Sequence, residues 1–303
     1  MRPRLHAAEW KRSPEAGGPA DVAHGGSIAV NHIGIAVPTL NAGGTLPWTL
    51  LSLRQQVGCE VSAVVVDSGS TDATLAECVS AGVRTLFEPP GNLYRAVNAG
   101  VRALESAWCG YLNADDVAYC DAYATLIAAG ERSGADVVYG DCDHVDRHGR
   151  FLFSTHAAPP RLLRSMYAAG IMPFNQPCAV FRRALFDRLG GFDHHYRQIA
   201  DLDFFSRAAE VGARFEQVAG FPVVAYRMHP GQFSFRERAI ARDEVARFLS
   251  IRTRSHSWTS PLAGWQWRIV NVSQYLIRRL RTGRWGDRPA EDRSGNSGGF
   301  DGR

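Results

Sequence analysis

The stretch VSAVVVDSGSTD, residues 61–72, decides the fold, because an apolar run of strand length ends in a polar, glycine-containing turn. The same pattern occurs upstream, where a strand predicted over residues 33–37 ends in Pro38 and Thr39. Between the two runs, residues 45–56 have the apolar spacing of a helix. This order of strand, helix and strand predicts two parallel strands joined by a crossover helix.

The alternation continues through the first half of the chain and weakens after about residue 151. Further strands are predicted over residues 83–87, 108–112 and 136–139, and further helices over 72–81, 93–106, 121–133, 159–168 and 202–212. We therefore expect an α/β protein whose mostly parallel sheet is flanked by helices.

Composition divides the chain into four segments. Residues 1–27 and 286–303 are rich in glycine and charge without periodicity, and we expect them to be disordered. Residues 28–235 are predicted to form one globular domain, and residues 236–285 a helical extension rich in basic and aromatic residues. A net charge of +4 argues against wholesale nucleic-acid binding.

Three absences narrow the class of protein further. The six cysteines lack both C-x-x-C pairs and zinc-ligand spacing, which favours reduced thiols in the cytoplasm. No apolar run approaches the roughly 18 residues of a membrane span. Lys11 is the only lysine, so a lysine nucleophile in the globular domain is excluded.

The sequence Asn113-Ala114-Asp115-Asp116 follows the apolar run 108–112. Carboxylate oxygens are ligands for Mg2+ and Mn2+, usually together with substrate phosphates. The alternative is a polar turn, because Asn and Asp favour turns through local hydrogen bonds. Ligands of open α/β sheets bind outside the carboxyl ends of the strands, so this stretch and Asp67 should border one crevice.

Several motifs in a fixed order give the chain a family resemblance. They are V-P-T-L-N, V-V-V-D-S-G-S-T-D-A-T, E-P-P-G-N-L-Y-R-A-V-N-A-G, Y-L-N-A-D-D, F-R-R-A-L-F-D-R-L-G-G-F-D, A-D-L-D-F and Y-R-M-H-P-G-Q-F-S, spread over residues 28–235. In this order they resemble family-2 glycosyltransferases, which transfer a sugar from a nucleotide-sugar donor. The resemblance implies a GT-A fold, an inverting reaction and a bacterial enzyme. The Arg- and Gln-rich motif of processive synthases is missing, which favours transfer of a single sugar.

The resemblance places the donor along the carboxyl ends of the strands. The donor-binding residues are expected to be Pro38, Thr39, Asn41, Asp67, Gly69, Arg95, Asn98, Asn113 and Asp115. Asp115, Asp116 and His229 are expected to hold Mn2+ or Mg2+, with Asn113 standing where the family often has Asp. For His229 the alternative is a surface loop position.

Asp201 aligns with the base that deprotonates the acceptor hydroxyl in the family. Ala200 replaces a Glu of the family pattern, a change that leaves the base in place but affects acceptor positioning. The alternative for Asp201 is a helix cap. Asp141 and Asp143 form a second D-x-D string after the strand 136–139 and compete for a contact with donor or metal.

The resemblance also implies partners and a setting. The expected partners are a nucleotide-diphospho-sugar donor and a saccharide or lipid-linked acceptor, in cell-surface polysaccharide or glycolipid assembly. Residues 258–285 combine tryptophans with arginines, so they are expected either to lie on the inner face of a membrane or to pack on the domain with a solvated arginine face.

Three other functions compete with sugar transfer for this sequence. A noncatalytic sugar- or partner-binding relative would lack the carboxylates, which are present here. A nucleotidyltransferase needs a cation-rich loop after the first strand, and residues 41–44 carry no cation. A Rossmann dehydrogenase is disfavoured because no G-x-G-x-x-G follows that strand.

Overall fold

A computed structural model describes residues 31–229, 231–232, 238–252, 265–269 and 271–282. The two segments predicted to be disordered, 1–27 and 286–303, lie outside the described residues. The first half contains β1 (Asn31–Thr39), α1 (Leu46–Arg54), β2 (Cys59–Asp67), α2 (Thr74–Ala81), β3 (Arg84–Phe87), α3 (Leu93–Arg102) and β4 (Trp108–Tyr111). All the helices and strands predicted for this half are present.

The second half adds shorter strands and the C-terminal helices. Its elements are β5 (Val117–Ala118), α4 (Ala122–Ser133), β6 (Val137–Val145), β7 (Phe151–Thr155), α5 (Leu163–Ala168), β8 (Ala179–Arg182), α6 (Arg183–Leu189), α7 (Ala200–Glu210), β9 (Phe215–Arg227), α8 (Arg238–Arg252) and α9 (Val272–Thr282). None of the described helices is both long enough and apolar enough to cross a lipid bilayer.

The described strands form one sheet in the order β3-β2-β1-β4-β8-β6-β9-β5, with β7 on β6. The first four strands are parallel, whereas β8 runs antiparallel to both β4 and β6. The predicted α/β class is therefore confirmed, with a parallel first half and a mixed second half. Thr39 pairs with Asp67 and Ala36 with Tyr111, so the carboxyl ends of β1, β2 and β4 share one edge.

Apolar layers cover both faces of the sheet. One layer is aromatic and gathers residues from α3, α6 and α7, and the other gathers aliphatic residues from α1 and α4. Gly100 lets α3 lie close to the sheet, since a Cβ atom there would stand 2.7 Å from the Ala36 Cβ. This close approach sets the last turns of α3 directly on β1 and β2.

Three predicted element bounds differ most from the observed ones. Helix α3 ends at Arg102 instead of residue 106, because the chain turns there and Leu104 and Ser106 pack over Gly34. Strand β6 continues to Val145 because β7 and β9 pair with its second half. The helix predicted from residue 159 begins as a 3-10 turn over Pro160–Leu162, and α5 follows it.

Candidate active site

The carboxyl ends of β1 and β2 carry a tightly bonded pair of turns. The buried Asp67 carboxylate accepts hydrogen bonds from the backbone N–H groups of Gly69 (2.9 Å) and Ser70 (3.0 Å). Gly69 has φ +90°, which glycine adopts readily. Asn41 accepts a 2.8 Å bond from the Thr71 backbone N–H. The predicted residues Asp67, Gly69 and Asn41 thus lie together.

The other predicted contacts of β1 lie beside these turns. Pro38 and Thr39 are both buried at the end of the strand. The Thr39 hydroxyl donates to the Val37 carbonyl at 3.1 Å. The Thr39 carbonyl accepts a 2.9 Å hydrogen bond from the Ser68 backbone N–H, so this strand end is joined directly to the turn after β2.

Helix α3 holds two predicted donor contacts in different settings. Asn98 is buried, and its carboxamide exchanges two hydrogen bonds with the Phe192 backbone, at 2.7 Å to the carbonyl and 2.9 Å from the N–H. Both ends of the amide are therefore occupied, and we correct the prediction that Asn98 contacts the donor. Arg95 is half exposed and forms a 2.8 Å ion pair with Glu88, so its donor contact stays a prediction.

The predicted metal ligands Asp115 and His229 lie in direct contact. The imidazole Nε2 of His229 is 2.9 Å from Oδ2 of Asp115, and both side chains are partly exposed. The Gln232 side-chain oxygen accepts a 3.3 Å hydrogen bond from the His229 backbone N–H. Residues 114 positions apart in the chain therefore form one polar pair at the sheet edge.

Asp116 has a different position from the one predicted. Its side chain is fully buried, and its two oxygens accept hydrogen bonds from the Arg227 backbone N–H (2.9 Å) and the Asn113 amide (3.1 Å). Burial, followed by the charge of Asp115, raises the pKa of Asp116. We therefore correct the prediction that Asp116 is a metal ligand: it joins β9 to the turn after β4. Asn113 faces Asp116 from within that turn.

The remaining pair suits a divalent cation that a bound ligand helps to coordinate. A carboxylate and an imidazole are both ligands for Mn2+, and Mg2+ also binds carboxylate oxygens. Within the described ranges, no group of three or more His, Cys, Asp and Glu side chains converges on a single point. Asp115 and His229 would thus hold a cation whose other ligands come from outside the protein, as phosphate oxygens do.

Asp201 is the second residue of α7, in its first turn; the N-cap of this helix is Ile199. Its Oδ1 accepts hydrogen bonds from the Tyr94 hydroxyl (3.2 Å) and the Leu202 backbone N–H (2.8 Å). Burial raises the pKa of the Asp201 carboxyl to about 6. A carboxylate with such a pKa is suited to general-base work near neutral pH.

The competing D-x-D string serves the fold. Asp141 and Asp143 lie within β6 and not after it. Asp141 is buried and bonds to His156 Nδ1 (2.7 Å) and the Ala157 backbone N–H (2.9 Å). Asp143 accepts hydrogen bonds from the hydroxyls of Tyr119 (2.7 Å) and Ser154 (2.6 Å). Each of the four carboxylate oxygens is thus bonded to another protein group, and the two side chains hold neighbouring segments together.

Tyr94 is the residue at this site that the sequence patterns did not single out. It lies on the first turn of α3, and its ring contacts Tyr111 at the end of β4 with centroids 6.5 Å apart. The one sequence feature that could have pointed to Tyr94 is a tyrosine at the start of a predicted helix. Such a residue is informative because a buried tyrosine hydroxyl needs a hydrogen-bond partner. Tyr94 therefore links Asp201 to Tyr111 at the end of β4. Tyr111 lies two residues before the turn that begins at Asn113.

Comparison with known proteins identifies the family. The model of "Glycosyl transferase family 2" matches residues 34–190. The chain belongs to glycosyltransferase family 2. A "PGL/p-HBAD biosynthesis glycosyltransferase" of Mycobacterium bovis is 30% identical over 237 residues, which cover 75% of this chain and 87% of that protein. The resemblance drawn from the ordered motifs is thereby confirmed.

Solved structures confirm the GT-A fold of this family-2 enzyme. S. aureus TarS in complex with UDP-GlcNAc has a TM-score of 0.56 and 17% identity, covering 82% of this chain and 74% of that chain. The mannosyltransferase PcManGT from Pyrobaculum calidifontis, in complex with GDP-Man and Mn2+, has a TM-score of 0.55 and 18% identity, covering 83% and 73%. At such identities the likeness concerns the fold.

Proposed function

We propose that this family-2 glycosyltransferase moves a single sugar from a nucleotide-diphospho-sugar to an acceptor hydroxyl with inversion. The observation that carries the proposal is that two distinct polar groups, the Asp115–His229 pair and Asp201, lie beside the carboxyl end of β4. The Asp115–His229 pair suits a cation and a diphosphate, and Asp201 is a partly buried carboxylate with a raised pKa. Inverting transfer needs these two functions, stabilisation of the leaving group and one base.

In the proposed reaction the acceptor oxygen attacks the anomeric carbon from the face opposite the diphosphate. The bond from that carbon to the phosphate oxygen breaks, and the nucleoside diphosphate leaves with the electron pair. The hydroxyl proton passes to Asp201, whose Oδ1 already accepts two hydrogen bonds, so Oδ2 is the oxygen that receives it. Asp115 and His229 would hold Mn2+ or Mg2+, which would supply positive charge for the leaving diphosphate.

Relatives support the donor class and the setting. The solved structures named above contain UDP-GlcNAc or GDP-Man. That of glucosyl-3-phosphoglycerate synthase from Mycobacterium tuberculosis contains Mn2+, UDP and phosphoglyceric acid, with a TM-score of 0.51, 18% identity and coverage of 76% of this chain and 81% of that chain. The mycobacterial relative belongs to a biosynthetic route named PGL/p-HBAD. We propose an acceptor that is a saccharide or a lipid-linked molecule in cell-surface polysaccharide or glycolipid assembly.

A panel of UDP-, GDP- and dTDP-sugars tests the proposed donor class. We expect one nucleotide class to release nucleoside diphosphate at least roughly tenfold faster than the others, because pockets that hydrogen-bond a substrate discriminate strongly. The release should require Mn2+ or Mg2+ and stop on addition of a chelator. Equal, metal-independent rates across the panel would contradict the proposal.

We also propose that the C-terminal helices contact a membrane. Helix α9 and the helical residues 265–269 dock on the domain through polar contacts to His156. The His156 carbonyl accepts bonds from the Trp267 indole (2.9 Å) and the Asn271 amide (3.1 Å), and its N–H donates to Asn271 Oδ1 (2.8 Å). The Asn271 N–H donates to the Trp267 carbonyl at 3.2 Å, which continues the helical pattern.

The opposite face of these helices is apolar and exposed. Five large apolar side chains recur there at helical spacing, each more than half exposed: Trp265, Ile269, Val272, Leu276 and Leu280. Exposed Arg268 and Arg279 lie beside them. Residues 245–286 contain no Asp or Glu but eight arginines, namely Arg247, Arg252, Arg254, Arg268, Arg278, Arg279, Arg281 and Arg284. An apolar stripe in a cationic segment fits an anionic bilayer surface.

Vesicle cosedimentation tests this surface. We expect the full chain to bind vesicles that contain an anionic phospholipid more tightly than neutral vesicles. The double change Leu276→Asp and Leu280→Asp should weaken binding by roughly tenfold or more, because it places charge in the apolar stripe. Val79→Asp, at an equally exposed apolar position on α2, is the matched control. Equal binding by both variants would contradict the proposal.

A further inference from the structure

The Tyr94 hydroxyl lies between two acceptors. Its oxygen is 3.2 Å from Asp201 Oδ1 and 3.2 Å from the backbone carbonyl of Gln198. The Tyr94 ring is buried, stacked on Phe192 with centroids 5.8 Å apart and in edge contact with Tyr111. Packing therefore fixes the ring, and the hydroxyl has a single proton for both oxygens.

We propose that Tyr94 is a positioning residue for the base: its hydroxyl holds Oδ1 of Asp201 and stabilises the ionised carboxylate, so that Oδ2 faces the acceptor. This inference rests on the proposed role of Asp201. A hydrogen bond to the charged form of an acid favours that form, and so opposes the effect of burial. Tyr94 thereby keeps the partly buried carboxylate of Asp201 available as a base near neutral pH.

Helix α8 holds the backbone segment 197–198, and the Gln198 carbonyl in that segment is the second acceptor of the Tyr94 hydroxyl. The buried Glu244 carboxylate accepts hydrogen bonds from the backbone N–H groups of Arg197 (2.7 Å) and Gln198 (2.9 Å). Phe248, one turn further along α8, is buried in the aromatic layer and anchors the helix. Glu244 thus sets the position of the Gln198 backbone. The Gln198 carbonyl in turn helps to position the Tyr94 hydroxyl.

The titratable side chains around Asp201 are tyrosines, and of these Tyr94 donates a hydrogen bond to its carboxylate. The titratable side chains that sense its charge are Tyr94 on α3, Tyr111 on β4 and Tyr167 on α5, and burial raises the pKa of each of them. All three stay neutral at working pH. Glu244 faces the 197–198 backbone, and no ion pair joins Asp201 to another side chain among the described residues.

The pH profile of kcat/KM for Tyr94→Phe tests the inference. In the unchanged enzyme the acid limb should follow a group with a pKa of about 6, with activity rising as Asp201 ionises. In Tyr94→Phe we expect this limb to move up by about one pH unit and kcat to fall roughly tenfold, since a bond to a charged group is lost. The KM for the donor should stay unchanged.

Tyr167→Phe is the matched control. The Tyr167 hydroxyl is also buried near Asp201 but has no hydrogen-bond partner among the described residues. Its removal should leave both the profile and kcat unchanged. An unmoved acid limb in Tyr94→Phe, with Asp201→Asn inactive, would overturn the inference and leave the proposed function standing. An active Asp201→Asn enzyme would instead remove the base itself.

Glu244→Gln tests the same contact from α8, and it replaces Tyr94→Phe as the test if that variant fails to fold. The amide keeps the size of the side chain but presents one acceptor oxygen instead of two to the paired N–H groups. We expect kcat to fall several-fold with donor affinity unchanged. A Glu244→Gln enzyme with full kcat would show that the 197–198 segment needs no support from α8, and would overturn that part of the inference.

Discussion

Asp201→Asn is expected to lower sugar transfer by at least roughly 10³-fold while donor binding stays intact. The amide cannot take the acceptor proton, and general-base catalysis typically contributes about 10²- to 10⁴-fold. The change keeps the size of the side chain and an oxygen that can still accept from Tyr94 and Leu202, so the first turn of α7 should keep its structure. Steady-state transfer and calorimetric donor binding measure the two effects separately.

The control for this experiment is Asp121→Asn, the same chemical change at the start of α4, where the side chain makes no capping bond. That variant should transfer sugar at the unchanged rate. Full turnover by Asp201→Asn would refute the assignment of the base, and parallel loss of donor binding would point to a structural role instead.

Asp115→Ala is expected to remove the Mn2+-dependent part of donor binding. Loss of a group that only supports a metal ligand commonly costs about 10- to 100-fold in metal affinity, so loss of a ligand should cost at least roughly 100-fold. Calorimetry of nucleotide-sugar binding with and without Mn2+ measures this effect independently of turnover. His229→Ala should show the same direction, because His229 shares the site at 2.9 Å.

The variant Asp116→Asn distinguishes the proposed metal ligand, Asp115, from its buried structural neighbour, Asp116. Its amide group would face either the Asn113 amide or the Arg227 backbone N–H, donor against donor, so the unfolding free energy should fall by about 1–3 kcal/mol. The Mn2+ dependence of donor binding should persist in the folded variant. If donor affinity in the unchanged protein proves equal with and without Mn2+, the metal site is refuted.

The sequence predicted the features that depend on neighbouring residues. The strands β1, β2 and β4 and the helices between them follow from apolar periodicity over short windows. The closeness of Asp115 and His229 was expected only from the order of the family motifs, since no local pattern links residues 114 positions apart.

The wrong predictions depend on contacts with distant segments. Asp116 was assigned to the metal from its place beside Asp115. Nothing near it in the sequence indicates that the Arg227 backbone N–H, 111 residues later, donates a hydrogen bond to its carboxylate. Asn98 was assigned to the donor, but Phe192 occupies both ends of its amide. Polar side chains near a crevice and polar side chains that tie segments together have the same chemistry, and tertiary contacts alone distinguish them.

The place of β9 in the sheet has a consequence for the order in which the protein is made and folded. β9 is the last described strand in the chain, yet it lies between β6 and β5. During synthesis, the parallel strands β1 to β4 and their turns can form before residue 215 leaves the ribosome. The pairing of β9 requires contacts of long sequence separation, which form slowly. The turns that follow β1 and β2 should therefore fold early, and the Asp115–His229 pair should be among the last parts of the enzyme to mature.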